Sequence, residues 1–162
     1  MPYLELIVAI LVATVIVMSK VARERRQNAD EYLGLAVDVP PADQVLTHLG
    51  YKKKNLVARA DRIAARLYRS SRFDRAKKFD EAAQLIEAFM EESLASKREP
   101  PNAGRKLRAL GRVSLREWFF VSHPLALAAD IKTWREDLRA WMDAVLIFGI
   151  PAARDKEKVH RR

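Results

Sequence analysis

The residues in this chain that could move a proton or hold a metal are few and scattered. Three histidines, His48, His123 and His160, stand alone, none three or four residues from another. A helical metal site wants such pairing, and a general base wants an orienting partner. His48 falls near an expected helix end, where an imidazole meets free carbonyls. His123 directly precedes Pro124, and His160 lies in a charged C-terminal stretch. Glu87 and Glu91 share a helix face, but no Glu-x-x-His is read in the chain to accompany them, as a carboxylate-bridged metal site in a bundle would require. Cysteine is absent, which removes disulfides, thiolate zinc sites and cysteine nucleophiles together. Glycine-rich phosphate loops and the Gly-x-Ser-x-Gly elbow are also missing. The expectation is a protein that is not an enzyme, with no cofactor and no catalytic or metal residues.

Binding chemistry is better represented. Arg59, Arg62, Arg66 and Arg69 recur so that they occupy about 80° of a helix circumference. Lys52, Lys53 and Lys54 lead into this face, and Arg72, Arg75, Lys77 and Lys78 follow it. Residues 50–78 hold eleven Lys/Arg against two Asp, whereas residues 79–99 hold six acids against two bases. Such a face suits an acidic protein surface, anionic lipid or nucleic-acid phosphates. Base readout would need a docked recognition helix, and the pattern offers none. Trp118, Phe119, Phe120, Trp134 and Trp141 add the residue types that dominate interface energetics. The arginine face and these aromatics are the expected partner-binding residues.

The elements that must carry these groups begin with an apolar stretch. From Leu6 to Met18 the only non-aliphatic residue is Thr14. Extended to Tyr3 and Ala22, the stretch is long enough at ~1.5 Å per residue to cross a hydrocarbon core of ~30 Å. A cleaved signal would want a base before it and a small-x-small site after it, and neither is present. An interfacial helix would show a polar face, which residues 6–18 lack. Lys20, Arg23, Arg25 and Arg26 crowd the C-terminal flank, while Glu5 stands on the N-terminal one. The bias of basic residues predicts an N-terminus outside and a body in the cytoplasm. The same bases place residues 20–26 against anionic lipid headgroups.

Residues 23–40 read as a basic juxtamembrane linker, with a strand the only sheet expected, near 33–37. Pro40–Pro41 marks a boundary. Short helical periodicity follows over 41–49, with Gly50 at the end. A second helix is expected from 53 to 69. Ser71 and Asp74 then read as a capping box opening a helix from 72 to 96. Residues 97–112, punctuated by Pro100, Pro101, Gly104 and Gly111, read as a surface connector. Ser114 and Glu117 open a short helix around Trp118. Pro124 suits the first position of the last helix. There Leu127, Ile131, Trp134, Leu138, Trp141, Val145 and Phe148 form a heptad stripe, and Gly149–Ile150–Pro151 reads as its stop.

The expected architecture is all-α: a single transmembrane helix (1–22), a linker (23–40), a bundle of about four helices (41–151) and a charged flexible tail (152–162). Its core should contain Leu56, Ile63, Leu67, Phe79, Ile86, Phe89, Trp118, Trp134, Leu138, Trp141 and Val145. The expected function is attachment: a membrane-anchored adaptor or accessory subunit that meets a protein partner in a larger assembly. The alternative is a membrane-tethered nucleic-acid-binding protein that uses the basic face of residues 52–78. The sequence leaves self-association open.

Overall fold

The computed structural model describes residues 2–34, 41–110 and 124–162. Among them every regular element is helical, and they form an all-α bundle with a long N-terminal arm. The elements are α1 (Pro2–Leu33), α2 (Ala42–Arg69), α3 (Phe73–Asp80), α4 (Ala82–Ser96), α5 (Pro101–Ala109) and α6 (Pro124–Ala144). A π turn (Val145–Gly149) then leads into α7 (Ile150–His160).

Helix α1 has two halves with different surroundings. The apolar half touches nothing: Leu6, Ile10, Val15 and Met18 are all exposed. It is the one described helix that is long and apolar enough to cross a membrane. Its few polar groups are satisfied within the helix, Thr14 donating to the Ile10 carbonyl at 2.8 Å and Ser19 to the Ile16 carbonyl at 2.8 Å. Hydrocarbon would demand this of them. The charged half continues without a break and buries Ala29 and Leu33 in the core. Residues 23–33 are therefore a docked helix and not a linker. Leu33 ends that helix and Gly34 forms a turn at φ 61°; the rest of the expected strand, residues 35–37, lies outside the described residues.

Helix α2 runs through Gly50 where a boundary was expected. Its apolar positions Val45, Leu49, Leu56, Ala60, Ile63 and Leu67 form one continuous buried stripe, and tertiary burial overrides the poor helix propensity of a single glycine. The helix ends in a left-handed serine. Ser71 has φ 59°, its N–H donates to the Tyr68 carbonyl at 3.0 Å, and the Arg72 N–H donates to the Leu67 carbonyl at 2.9 Å. This is a Schellman closure, so Ser71 finishes α2 and does not cap α3 with Asp74. The expected helix over 72–96 is split into α3 and α4 at Glu81.

Residues 101–109 form α5, where a connector was expected. Pro101 starts it, and Ala103, Gly104 and Leu107 are buried. A Cβ on Gly104 would stand 3.0 Å from Glu99 Oε1 and 3.5 Å from Phe89 Cε2, so a side chain there would crowd the contact with α4.

The last helix opens at Pro124 as expected, but does not stop at Gly149–Ile150–Pro151. The Ile150 N–H donates to the Val145 carbonyl, five residues back. This wider π turn carries the helix past Pro151, whose missing N–H and bulky ring would break a regular α-helix. Gly149 lies against α2: a Cβ there would meet Leu49 Cδ1 at 2.9 Å. The stretch after Ala152 is accordingly a helix to His160, tied down by Lys156–Asp43 at 2.7 Å and Lys97–Glu157 at 3.1 Å.

Ten of the eleven expected core residues are buried; the eleventh, Trp118, lies outside the described residues. The core centres on α2 against α6, with α3, α4 and α5 closing around it.

Candidate functional site

The α2–α6 seam takes up four of the nine side chains that the sequence nominated for partners. Trp134 and Trp141 are both fully buried. The Trp134 Nε1–H donates to the Leu56 carbonyl at 2.9 Å, and the Trp141 Nε1–H to the Leu49 carbonyl at 3.1 Å. One helix advances seven residues while the other retreats seven, as an antiparallel heptad pairing requires. Phe79 meets Trp134 edge-on at 5.3 Å between ring centroids, and Phe89 is tilted against Trp141 at 5.7 Å. These tryptophans belong to the core and are withdrawn as surface partner residues. Their heptad spacing reports the seam itself.

Half of the arginine face follows the same register. Arg59 pairs with Asp137 and Arg66 with Asp130, again seven residues apart on each helix. The arginines' placement beside the apolar stripe brings them to the edge of the seam, where α6 supplies a carboxylate for each. Arg62 and Arg69 remain exposed. With Arg59, Arg66, Ile63 and Asp130, Arg62 lines a cavity of about 230 Å³. Exposed Lys54, Lys77 and Lys78 extend the basic surface, which also exposes Tyr51 and Phe73. Trp118, Phe119 and Phe120 lie outside the described residues.

A larger cleft, about 700 Å³, lies where α1 docks on α6. It is lined by Asn28 and Glu31 on one side and by Lys132, Arg135, Glu136, Asp137, Arg139, Ala140 and Asp143 on the other. Half-buried Asp143 has its pKa raised, chiefly by desolvation and further by Glu99, against the opposing charges of Arg25, Arg139 and Arg108. Sequence reading missed this junction because residues 23–33 looked like linker. The available signal was helical: Ala22, Ala29 and Leu33 recur at spacings that put them on one side of a helix continued from the apolar stretch.

The other chemical candidates are dispersed. Glu87 and Glu91 are exposed, and His48 is half-buried. Glu157 and His160 do stand at the Glu-x-x-His spacing, which the sequence reading passed over. Glu157 pairs with Lys97, and His160 Nδ1 lies 3.1 Å from the Lys156 carbonyl. His123 lies outside the described residues. Among the described residues no group of three or more His, Asp and Glu side chains is placed to hold a metal ion. The exposed Tyr68 hydroxyl donates to the Asp80 carboxylate, and that hydrogen bond raises the phenol's pKa.

No protein-family model, no curated protein and no solved structure matches this chain.

Proposed function

We propose that this chain is a membrane-anchored, non-catalytic adaptor or accessory subunit. Its N-terminus lies outside, its body lies in the cytoplasm, and the body holds a protein partner within a larger assembly. One observation carries the reading. Helix α1 passes unbroken from a fully exposed apolar half into a half that buries Ala29 and Leu33 in the body. A helix continuous across that boundary holds the body at a set distance from the bilayer, which a loose tether would not do. The basic flank at residues 20–26 favours the cytoplasmic side and contact with anionic lipid. On the body, Arg62, Arg69, Lys54, Lys77 and Lys78 are exposed, as are Tyr51 and Phe73, and side chains of these types suit an acidic protein face.

The test is gentle detergent extraction from native membranes, followed by size analysis and identification of what travels with the chain. Co-migration with a large complex, lost in Arg62→Glu/Arg69→Glu, supports the reading. This pair is chosen because Arg59 and Arg66 are engaged by α6, so changing them would confound binding with folding. A lone monomer, with no protein captured by crosslinking in intact membranes, overturns it. Salt-sensitive binding of the extracted chain to duplex nucleic acid, abolished by the same pair, would transfer the basic face to the alternative reading.

A further inference from the structure

The arginines of α2 are not equivalent once α6 is in place. Arg59, Arg62 and Arg66 line the cavity of about 230 Å³ together with Ile63 and Asp130. At ~1.5 Å per residue, Arg62 stands ~4.5 Å along the helix from Arg59 and ~6 Å from Arg66. The outer two are held. Asp137 engages Arg59 and Asp130 engages Arg66, and the two arginine side chains are 28% and 30% exposed. Arg62, between them, is exposed and forms no ion pair among the described residues. A guanidinium has five N–H donors in a planar fork, and one carboxylate oxygen takes only a part of them. Arg59 and Arg66 therefore keep donors to offer, on heads whose position α6 already fixes. A ligand meeting those heads does not have to order them itself.

The charge of the cavity selects the anion. Asp137 balances Arg59 and Asp130 balances Arg66, which leaves the positive charge of Arg62 uncompensated. A carboxylate carries one negative charge and matches the guanidinium fork bidentately. A phosphomonoester carries about two at neutral pH. Its second charge has no counterpart in the cavity and would face Asp130, which lines the same space and is 57% exposed. Repulsion between like charges at such short range disfavours the dianion.

We propose that Arg62, set between the clamped Arg59 and Arg66, is a recognition point for a single carboxylate: the aspartate or glutamate side chain of an acidic protein partner. The inference rests on the reading of the basic face as a surface for such a partner, and narrows that face to one cavity. Arg59 and Arg66 are positioning residues here, and Asp130 turns dianions away.

The full chain, isotopically labelled at arginine, is held in neutral detergent micelles and each arginine Nε–H is followed by NMR. The probe is glutamate blocked as N-acetyl amide, which carries one carboxylate. Glutamine and phosphoserine blocked in the same way are the controls, all at constant ionic strength. Blocked glutamate is expected to shift Arg62 saturably, glutamine not at all, and phosphoserine should bind several-fold more weakly. Arg62→Lys keeps the charge but loses the fork, so glutamate binding, read then at Arg59 and Arg66, should weaken several-fold. Asp130→Asn removes the repelling charge and should strengthen phosphoserine several-fold, a gain that a merely structural aspartate would not give. Unchanged indole N–H signals of Trp134 and Trp141 in each variant separate lost binding from lost fold. No saturable shift at Arg62, or an equal shift at exposed Arg69, overturns the proposal. Phosphoserine binding the parent more tightly than glutamate also overturns it. A partner captured from membranes as well by Arg62→Lys as by the parent overturns the site and leaves the adaptor reading. Saturable glutamate binding at Arg62 with no partner captured supports the site and overturns the adaptor reading alone.

Discussion

Helix α6 makes two long contacts of opposite character. Against α2 it is dry at the centre, with two tryptophans that each spend their only N–H on a carbonyl of the facing helix. Against α1 the contact buries Ala29 and Leu33, and a charged cleft of about 700 Å³ opens beside them. The first contact specifies a register: a slip by one residue would strand both indole N–H groups and both arginine–aspartate pairs. The second joins the arm to the body with little apolar area and much charge. The body should therefore survive damage to the arm's junction far better than damage to the seam.

Truncating the seam should have the largest effect. Trp141→Ala removes a fully buried indole, its ring contact with Phe89 and its bond to Leu49. A loss of about 3–5 kcal/mol is expected, read from denaturant unfolding followed by circular dichroism in detergent. Trp134→Ala should behave alike. If either costs no more than a surface substitution, the seam does not hold the body together.

At the junction the expected loss is smaller and local. Leu33→Ala should cost about 2 kcal/mol, the low end for a buried leucine, because the cleft lets water and side chains relax into the space. Its diagnostic is spatial. Amide exchange should accelerate over residues 23–33 while α2 and α6 stay protected, since local opening there need not unfold the bundle. Exchange rising equally throughout would make junction and seam a single cooperative unit.

At the edge of the seam the effect becomes slight. Arg59 and Asp137 are both partly exposed, so water screens their attraction. A double-mutant cycle on Arg59→Ala and Asp137→Ala should return a coupling of about 0.2–1 kcal/mol. A value several times larger would mean that the ion pairs, and not the tryptophans, set the register.

How far the sequence could be read tracks the same contrast. The seam was legible because its signal is periodic: the stripe from Leu127 to Val145 and the run from Leu56 to Leu67 each encode one buried face. What periodicity could not provide was the partner of each face. The seven-residue spacing of Arg59 and Arg66 looked like surface until Asp130 and Asp137, at the same spacing, came opposite. Breaker residues misled in proportion to their tertiary support. Gly50, Gly104 and Pro151 all lie inside or beside helices because burial, close approach or a π turn outweighs their local preference. The junction was least legible, since two apolar residues, Ala29 and Leu33, among charges resemble a linker.

The weakest expected effect tests that junction by pH. Burial raises the Asp143 pKa above its unfolded value, so the folded chain binds this proton more tightly than the unfolded chain does. Stability from this group is therefore full below the unfolded pKa and is lost as pH rises through the raised folded value. Above that window the ionised carboxylate persists in a partly desolvated site, held by Arg25, Arg139 and Arg108 against Glu99. Asp143→Asn removes the titration while keeping the shape. The variant should melt slightly higher than the parent at neutral pH, and that margin should shrink as pH falls towards the ordinary carboxylate range. If the variant instead melts lower at neutral pH by a clear margin, the arginines outweigh burial. The α1–α6 junction would then be held by charge as firmly as the seam is held by its tryptophans.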